Sequence, residues 1–309
     1  MKTFRSFAKL NLHLEVLGRR ADGYHDLRTV FQTIDLADEL RLAEAGTGVE
    51  LAIAGADLPA DRRNLAWRAA EAFLERFPGA DRRRGVRIEL DKRIPVQGGL
   101  GGGSSNAATV LLGLARLRGL DPGTPECAGA LAAMARELGA DVPFFLLGGT
   151  AVGEGRGDRL TALDDGAVRP LARGCTLWLA VPRFGVSTRE AFEAAPSRGV
   201  TRPFPALAAA LSGRAVSLDQ LIGENDLEGP AFAIRPELQA LYTCLVRSGA
   251  KRVRMSGSGS TLFALYDDPA AARPVADLLP SGTVWMQVAT LGRAEWRRAG
   301  GLDSSEGGS

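Results

Sequence analysis

Side chains that build metal and disulfide chemistry are scarce in this chain of 309 residues, which has 2 histidines, His13 and His25, and 3 cysteines, Cys127, Cys175 and Cys244. The cysteines are odd in number, far apart and without a Cys-x-x-Cys pair, which argues against a disulfide framework and against a zinc site. No run of about 18 apolar residues occurs, so a membrane span is not supported. The opening Met1-Lys2-Thr3-Phe4-Arg5-Ser6-Phe7 passes into alternating polar and apolar residues with no apolar signal core, which leaves the cytoplasm as the expected location. An excess of one charge is lacking too. With 38 Lys and Arg against 36 Asp and Glu the net charge is +2, which points to no nucleic-acid partner, and the short cluster Arg82, Arg83, Arg84 reads as a solvated loop.

What is present is the composition of a globular protein, 45% hydrophobic and 24% charged, long enough for two domains. Residues 8–16 alternate strictly, with Ala8, Leu10, Leu12, Leu14 and Val16 on one face and Lys9, Asn11, His13 and Glu15 on the other. That is the pattern of a half-buried strand, and it carries Lys9 and Asn11 side by side. A turn at Ala21-Asp22-Gly23 leads into strand over 24–36, then helix over 63–77 and strand over 86–94. Helices are predicted over 104–118 and 125–139, the second with Thr124 as N-cap and Pro125 at its first position. Glycines through 148–157 and the turn Asp164-Asp165-Gly166 mark a boundary. One domain is therefore expected at residues 1–160 and a second at 161–299, with strands over 176–181, 252–255 and 262–266 and helices over 207–211, 236–248 and 269–279. Residues 300–309 hold too little apolar content to order themselves.

The strongest signal is Pro95-Val96-Gln97-Gly98-Gly99-Leu100-Gly101-Gly102-Gly103-Ser104-Ser105, set between a predicted strand and a predicted helix. Glycines let backbone N–H groups approach an anion, and a helix start adds unpaired donors and a positive dipole end. The hydroxyls of Ser104 and Ser105 are placed to reach phosphate oxygens or magnesium. No lysine precedes Ser104, so this is not a Walker A loop, and no protein-kinase signature set accompanies it. A second run of small residues, Ser256-Gly257-Ser258-Gly259-Ser260, offers another backbone cradle. Taken alone, Asp141 between Gly139 and Pro143 reads as a helix N-cap, Lys9 as a solvated strand residue and Tyr24 as core.

Together these segments resemble the GHMP kinases, the superfamily of galactokinase and of homoserine, mevalonate and phosphomevalonate kinases. Pro-x-x-x-Gly-Leu-Gly-Gly-Gly-Ser-Ser-Asn-Ala-Ala from Pro95 is similar to their second motif, Ala8-Lys9-Leu10-Asn11-Leu12 with the stretch from Gly18 to Leu27 to the first, and Met255 through Phe263 to the third. Gly139-Ala140-Asp141-Val142-Pro143-Phe144-Phe145, Phe184-Gly185-Val186-Ser187-Thr188 and Asn225-Asp226-Leu227-Glu228 are more similar to the diphosphocytidyl-methylerythritol kinases than to other branches. The likeness spans about 8–290 and departs at Gln97, in the loop over 164–173 and in the tail. It implies an α+β, two-domain GHMP kinase fold, the first half like ribosomal protein S5 domain 2 and the second ferredoxin-like. It also implies ATP-dependent phosphorylation of the 2-hydroxyl of a cytidyl diphosphate-linked methylerythritol in non-mevalonate isoprenoid synthesis.

By the same resemblance Asp141 accepts the proton of the substrate hydroxyl, and Lys9 orients that hydroxyl and screens the growing charge. The segment from Pro95 to Ser105 would hold ATP, with Mg²⁺ bridging the phosphates and no cysteine or histidine cage. Tyr24, His25 and Phe184 would meet the cytosine, and Asn11, Gly257 and Ser258 would hold the substrate. The expected partner is a small molecule and the expected state a monomer or homodimer. Two other readings stay open: another GHMP kinase acting on mevalonate or homoserine, and, from a different class, a dinucleotide-binding oxidoreductase. The acidic ribose ligand of the latter would fall about twenty residues after the loop, at 117–121, where a helix ends.

Overall fold

The alternation near the amino terminus runs further than residues 8–16: β1 (Lys2–Arg19) pairs antiparallel with β2 (His25–Ala45) along nearly its whole length. The computed structural model describes residues 1–78, 85–163, 166–199 and 201–302. Arg82 to Arg84, Asp164 and Asp165, and residues 303–309 of the expected tail lie outside them. β2 is the hub of a mixed sheet. Besides β1 it pairs with β4 (Gly85–Asp91) through residues 39–45 and with β5 (Thr150–Gly155) through residues 27–32. The sheet order is β3-β4-β2-β5-β6, with β3 (Val49–Ala54) parallel to β4 and β6 (Arg159–Ala162) at the other edge. Its outer face is covered by α1 (Leu65–Arg76), α2 (Gly102–Leu117), α3 (Pro125–Leu138) and α4 (Val142–Leu147), whose apolar residues close a core with Phe4, Phe7, Phe31, Leu40 and Leu42.

In the second half β7 (Val168–Arg169) pairs with β9 (Val216–Ser217), and β8 (Thr176–Val181), β10 (Arg252–Met255), β11 (Leu262–Tyr266) and β12 (Val284–Val288) make an antiparallel sheet ordered β10-β11-β8-β12. Among the described residues the short helices α5 (Thr188–Glu193), α6 (Pro205–Leu211), α7 (Glu228–Ile234), α8 (Pro236–Arg247) and α9 (Pro269–Ala272) attend it, while α10 (Arg293–Ala299) returns to the first core through Trp296. The helix expected over 269–279 breaks after Ala272 into 3₁₀ turns over 273–278, because Pro274 has no N–H to continue it. Among the described residues no helix is long and apolar enough to cross a membrane.

β1 is not half-buried as its pattern suggests. Ala8, Leu10 and Leu12, with Val30 and Ile34, pack against Leu177, Leu179, Phe263 and Leu265 of the second sheet, so the two halves share a core. Lys9, Asn11, His13 and Glu15 on the other face are buried as well. Register shifts between Phe7 and Lys9 and between Asn11 and His13 re-aim these side chains within a strand that protein covers on both sides. Residues 300–302 are ordered, contrary to the expectation for 300–309. Leu302 is buried in the first core, and its N–H donates to the Arg297 carbonyl at 3.0 Å, so residues 300–302 continue the packing of α10.

α2 begins at Gly102, two residues before its expected start, and is anchored from beneath by a buried ion pair, Lys92 with Asp38. The Asp38 carboxylate also accepts the N–H groups of Arg93 and Ile94 at 2.7 and 2.8 Å and the Asn106 amide at 2.8 Å. Lys92→Met would leave this carboxylate buried without its cation, so we expect a loss of about 3 kcal/mol in urea unfolding at unchanged slope. A loss below about 1 kcal/mol would show that the pair does not anchor the helix.

Candidate active site

Lys9 and Asn11 of β1 face a cleft of about 920 Å³ between the two halves, lined also by Tyr24, His25, Gln97, Gly99, Gly101 and Asp141 from the first half and Gly257 and Ser258 from the second. Lys9 is 3% exposed. Its ammonium donates to the Asn11 side-chain oxygen and, at 2.7 Å, to the Gly99 carbonyl, and lies 3.7 Å from Asp141 Oδ2. Burial pushes the Lys9 pKa below its ordinary value, and the charge of Asp141 opposes that shift. Asn11 is held in turn by Thr29, whose hydroxyl accepts from Asn11 Nδ2 at 2.7 Å and donates to the His13 carbonyl at 2.7 Å. Asp141 occupies the N-cap position of α4, yet its side chain makes no capping bond, so its carboxylate is free to face Lys9.

The glycine loop reaches the same point. Gly101, at φ +71°, caps α2, and a Cβ there would come within 2.7 Å of the Phe145 ring and 3.2 Å of the Lys9 Cε. Gly99, at φ +75°, abuts the second glycine run so closely that a Cβ would run into the Ser256 carbonyl oxygen. The two runs are tied together by Ser256 Oγ donating to the Gly99 carbonyl at 2.9 Å and the Thr261 N–H donating to the Gly98 carbonyl at 3.2 Å. The Ser105 N–H makes the first bond of α2, to the Gly101 carbonyl, so Gly102, Gly103 and Ser104 carry the first-turn donors that can meet an anion.

Not every loop residue fits the expected role. Ser105, expected at the phosphates, is instead buried, and its hydroxyl donates to the Phe7 carbonyl at 2.6 Å and accepts from Ser6 Oγ at 2.7 Å, so it pins α2 to β1 and is not free to meet a phosphate. Leu100 points its side chain into the shared core, and its carbonyl accepts the Lys9 N–H at 3.0 Å. Pro95, Val96, Gly98, Gly102, Gly103 and Ser104 do not line the cleft beside Lys9.

At the other end the cleft is aromatic. Tyr24, which taken alone reads as core but by the resemblance faces the substrate, is 56% exposed on the cleft, and the Arg156 guanidinium lies 5.0 Å from its ring centre. His25 stacks on Phe192 of α5 with ring centres 5.4 Å apart and planes 21° from parallel. Phe184 does not line this cleft. It packs against the second half's own core with Arg235 6.0 Å from its ring. Phe192, not among the residues expected at the site, lines the cleft where Phe184 does not. In sequence it is one aromatic residue of a short amphipathic helix and carries no signal that sets it apart from core. Lys9, Arg19, Arg156 and Arg189 outnumber Asp141 and Glu193 along the wall, which suits a polyanionic ligand.

Residues 64–149 match the GHMP kinases N terminal domain and residues 206–281 match GHMP kinases C terminal. A mixed sheet and an antiparallel sheet meeting at a cleft lined by glycine runs from both halves is thus the two-domain GHMP kinase fold. A 4-diphosphocytidyl-2-C-methyl-D-erythritol kinase of Moorella thermoacetica is 40% identical over 289 residues, covering 90% of this chain and 94% of the relative. One of Desulfotalea psychrophila is 43% identical over 270 residues, covering 85% and 84%. A crystal structure of 4-(cytidine 5'-diphospho)-2C-methyl-D-erythritol kinase aligns at a TM-score of 0.73 with 37% identity, covering 94% of this chain and 100% of that one. The chain belongs to the family of 4-diphosphocytidyl-2-C-methyl-D-erythritol kinases. A homoserine kinase from Cytophaga hutchinsonii, 19% identical at a TM-score of 0.66 and covering 95% and 96%, shares the fold.

Gly99→Ala would force a strained φ and displace the Ser256 carbonyl, so we expect a loss of about 2 kcal/mol in thermal unfolding together with weaker ATP binding by titration. Wild-type values for both would show that the two glycine runs do not need their close approach.

Proposed function

We propose that the chain transfers the terminal phosphoryl group of ATP to the 2-hydroxyl of 4-diphosphocytidyl-2-C-methyl-D-erythritol, giving its 2-phosphate and ADP. The observation that carries the mechanism is the approach of Lys9 Nζ to within 3.7 Å of Asp141 Oδ2 beside the glycine loop. The loop fits a nucleotide's phosphates because glycine at 99 and 101 brings bare backbone to the cleft, and the first-turn donors of α2 stand at the end of the loop that adjoins it. When bound, ATP with Mg²⁺ supplies the phosphoryl group and neutralises charge on its oxygens. The Asp141 carboxylate, which lines the cleft, and the Ser104 hydroxyl at the start of α2 would be the oxygen donors of this chain to the metal.

Phosphoryl transfer asks the protein for positioning and charge compensation more than for covalent help. Asp141 accepts the proton of the attacking hydroxyl. Lys9, fixed by Asn11 and the Gly99 carbonyl, holds the hydroxyl in line and screens the charge that develops as the proton leaves. Tyr24 and Phe192 offer faces for the cytosine ring and His25 a hydrogen-bonding edge, while Gly257 and Ser258 receive the phosphates between base and polyol. This aromatic end favours the cytidyl substrate over mevalonate or homoserine, which carry no base to stack.

An assay of ADP release should give turnover with the cytidyl substrate and none with mevalonate or homoserine, and the reverse pattern would overturn the assignment. Asp141→Asn should lower kcat by about 10²- to 10⁴-fold while ATP still binds, since the phosphate cradle lies elsewhere. Unchanged turnover would remove Asp141 as the base. Phe192→Ala should raise KM for the cytidyl substrate about tenfold or more by loss of stacking, whereas Phe184→Ala should leave KM unchanged and lower the melting temperature. The opposite allocation would return the base contact to Phe184.

A further inference from the structure

Asn225 stands outside the cleft, 6% exposed, in a segment that crosses beside β1. There the Leu14 N–H donates to the Glu224 carbonyl and the Asp226 N–H to the Leu14 carbonyl, both at 2.9 Å. The Asn225 side-chain nitrogen donates to the Met255 and Gly257 carbonyls, each at 2.8 Å, and its oxygen accepts the Leu227 N–H at 2.9 Å. Both amide protons are therefore spent on the second glycine run.

A trans peptide points its N–H opposite to its C=O. The peptide that begins at Met255 sends its N–H, that of Ser256, to the Thr261 carbonyl at 2.9 Å, inside the turn. The peptide that begins at Gly257 is different. Its carbonyl is drawn toward Asn225, which turns the Ser258 N–H the other way, to the side on which Gly257 and Ser258 line the cleft. Among the described residues this N–H meets no acceptor. Gly257 lies against Lys9 and Asn11, and the Ser258 hydroxyl is 2.8 Å from that of Thr188 at the start of α5. The donor thus faces the stretch between the Lys9–Asp141 pair and the stacked His25 and Phe192.

We propose that Asn225 is a positioning residue which, by holding two carbonyls of the second glycine run, presents the Ser258 N–H to the diphosphate of the substrate. This rests on the cytidyl substrate proposed above. Asn225→Asp keeps the shape and the acceptor for Leu227 but sets a carboxylate against two carbonyl oxygens, so the peptide should turn away.

The test compares titrations of CDP and of cytidine with the full-length protein. Asn225→Asp should weaken CDP about ten- to a hundredfold, the worth of a charge-assisted hydrogen bond, while cytidine binds as in the wild type and KM for the cytidyl substrate rises with kcat largely kept. CDP binding at wild-type strength, or equal weakening of both ligands, would overturn the inference. Should Asn225→Asp fail to fold, Ser258→Pro removes the N–H itself, and the same selective loss of CDP supports the proposal while its absence refutes it. Wild-type protein that bound neither ligand would overturn the substrate reading, and this inference with it, whereas wild-type binding of both beside an unaffected variant sinks the inference alone.

Discussion

A lysine ammonium buried to 3% exposure is costly unless polar groups gather around it, and in this protein three separate pieces of chain do so. Asn11 comes from the same strand, the Gly99 carbonyl from the glycine loop and the Asp141 carboxylate from the turn between α3 and α4. Each needs its own local device: a bulged strand, a left-handed glycine and a helix start whose aspartate is not used as a cap. The charge at Lys9 therefore links the first sheet, the loop and the helical layer into one arrangement, and the chemistry proposed for the cleft is a consequence of how that charge is housed.

The second half matters because it completes the enclosure. The face of β1 that carries Ala8, Leu10 and Leu12 is covered by the antiparallel sheet, and the run from Ser256 to Ser260 lies over the glycine loop with almost no space between the two backbones. α5 brings Phe192 to His25 at the far end. The cleft is thus apolar and flat-walled at one end and polar and backbone-lined at the other, as a nucleotide-linked alcohol requires. The buried residues Asn225 and Asp226 extend this logic away from the cleft. Asp226 accepts the Val16 N–H at 2.8 Å and pairs with Arg198, tying the second half to the end of β1, while Asn225 fixes the glycine run.

Much of the fold was legible because its signals are local. Period-two alternation located part of β1, an extreme glycine density located the loop and placed α2 within two residues of its start, and Thr124-Pro125 located the start of α3. The strands and helices that escaped notice, among them β3, β6, β12, α5 and α7, are short and owe their conformation to neighbours more than to propensity. The same distinction runs through the site. The glycines stand out by their density, whereas Lys9 and Asp141 were named through the resemblance to the GHMP kinases, and by residue type alone Lys9 would have been left in solvent and Asp141 on a helix cap.

By itself, then, the sequence determined which backbone could approach an anion and supplied a carboxylate and an ammonium as candidates for the chemistry, because absence of a Cβ and presence of a charged group are properties of single residues. Only the tertiary structure decided that Ser105 is a buried pin, that Phe192 and not Phe184 faces His25, and that the polar face of β1 is enclosed. Those outcomes depend on which distant surface arrives opposite a side chain, and a hydroxyl or a ring has the same composition and spacing whether it meets a ligand or the interior.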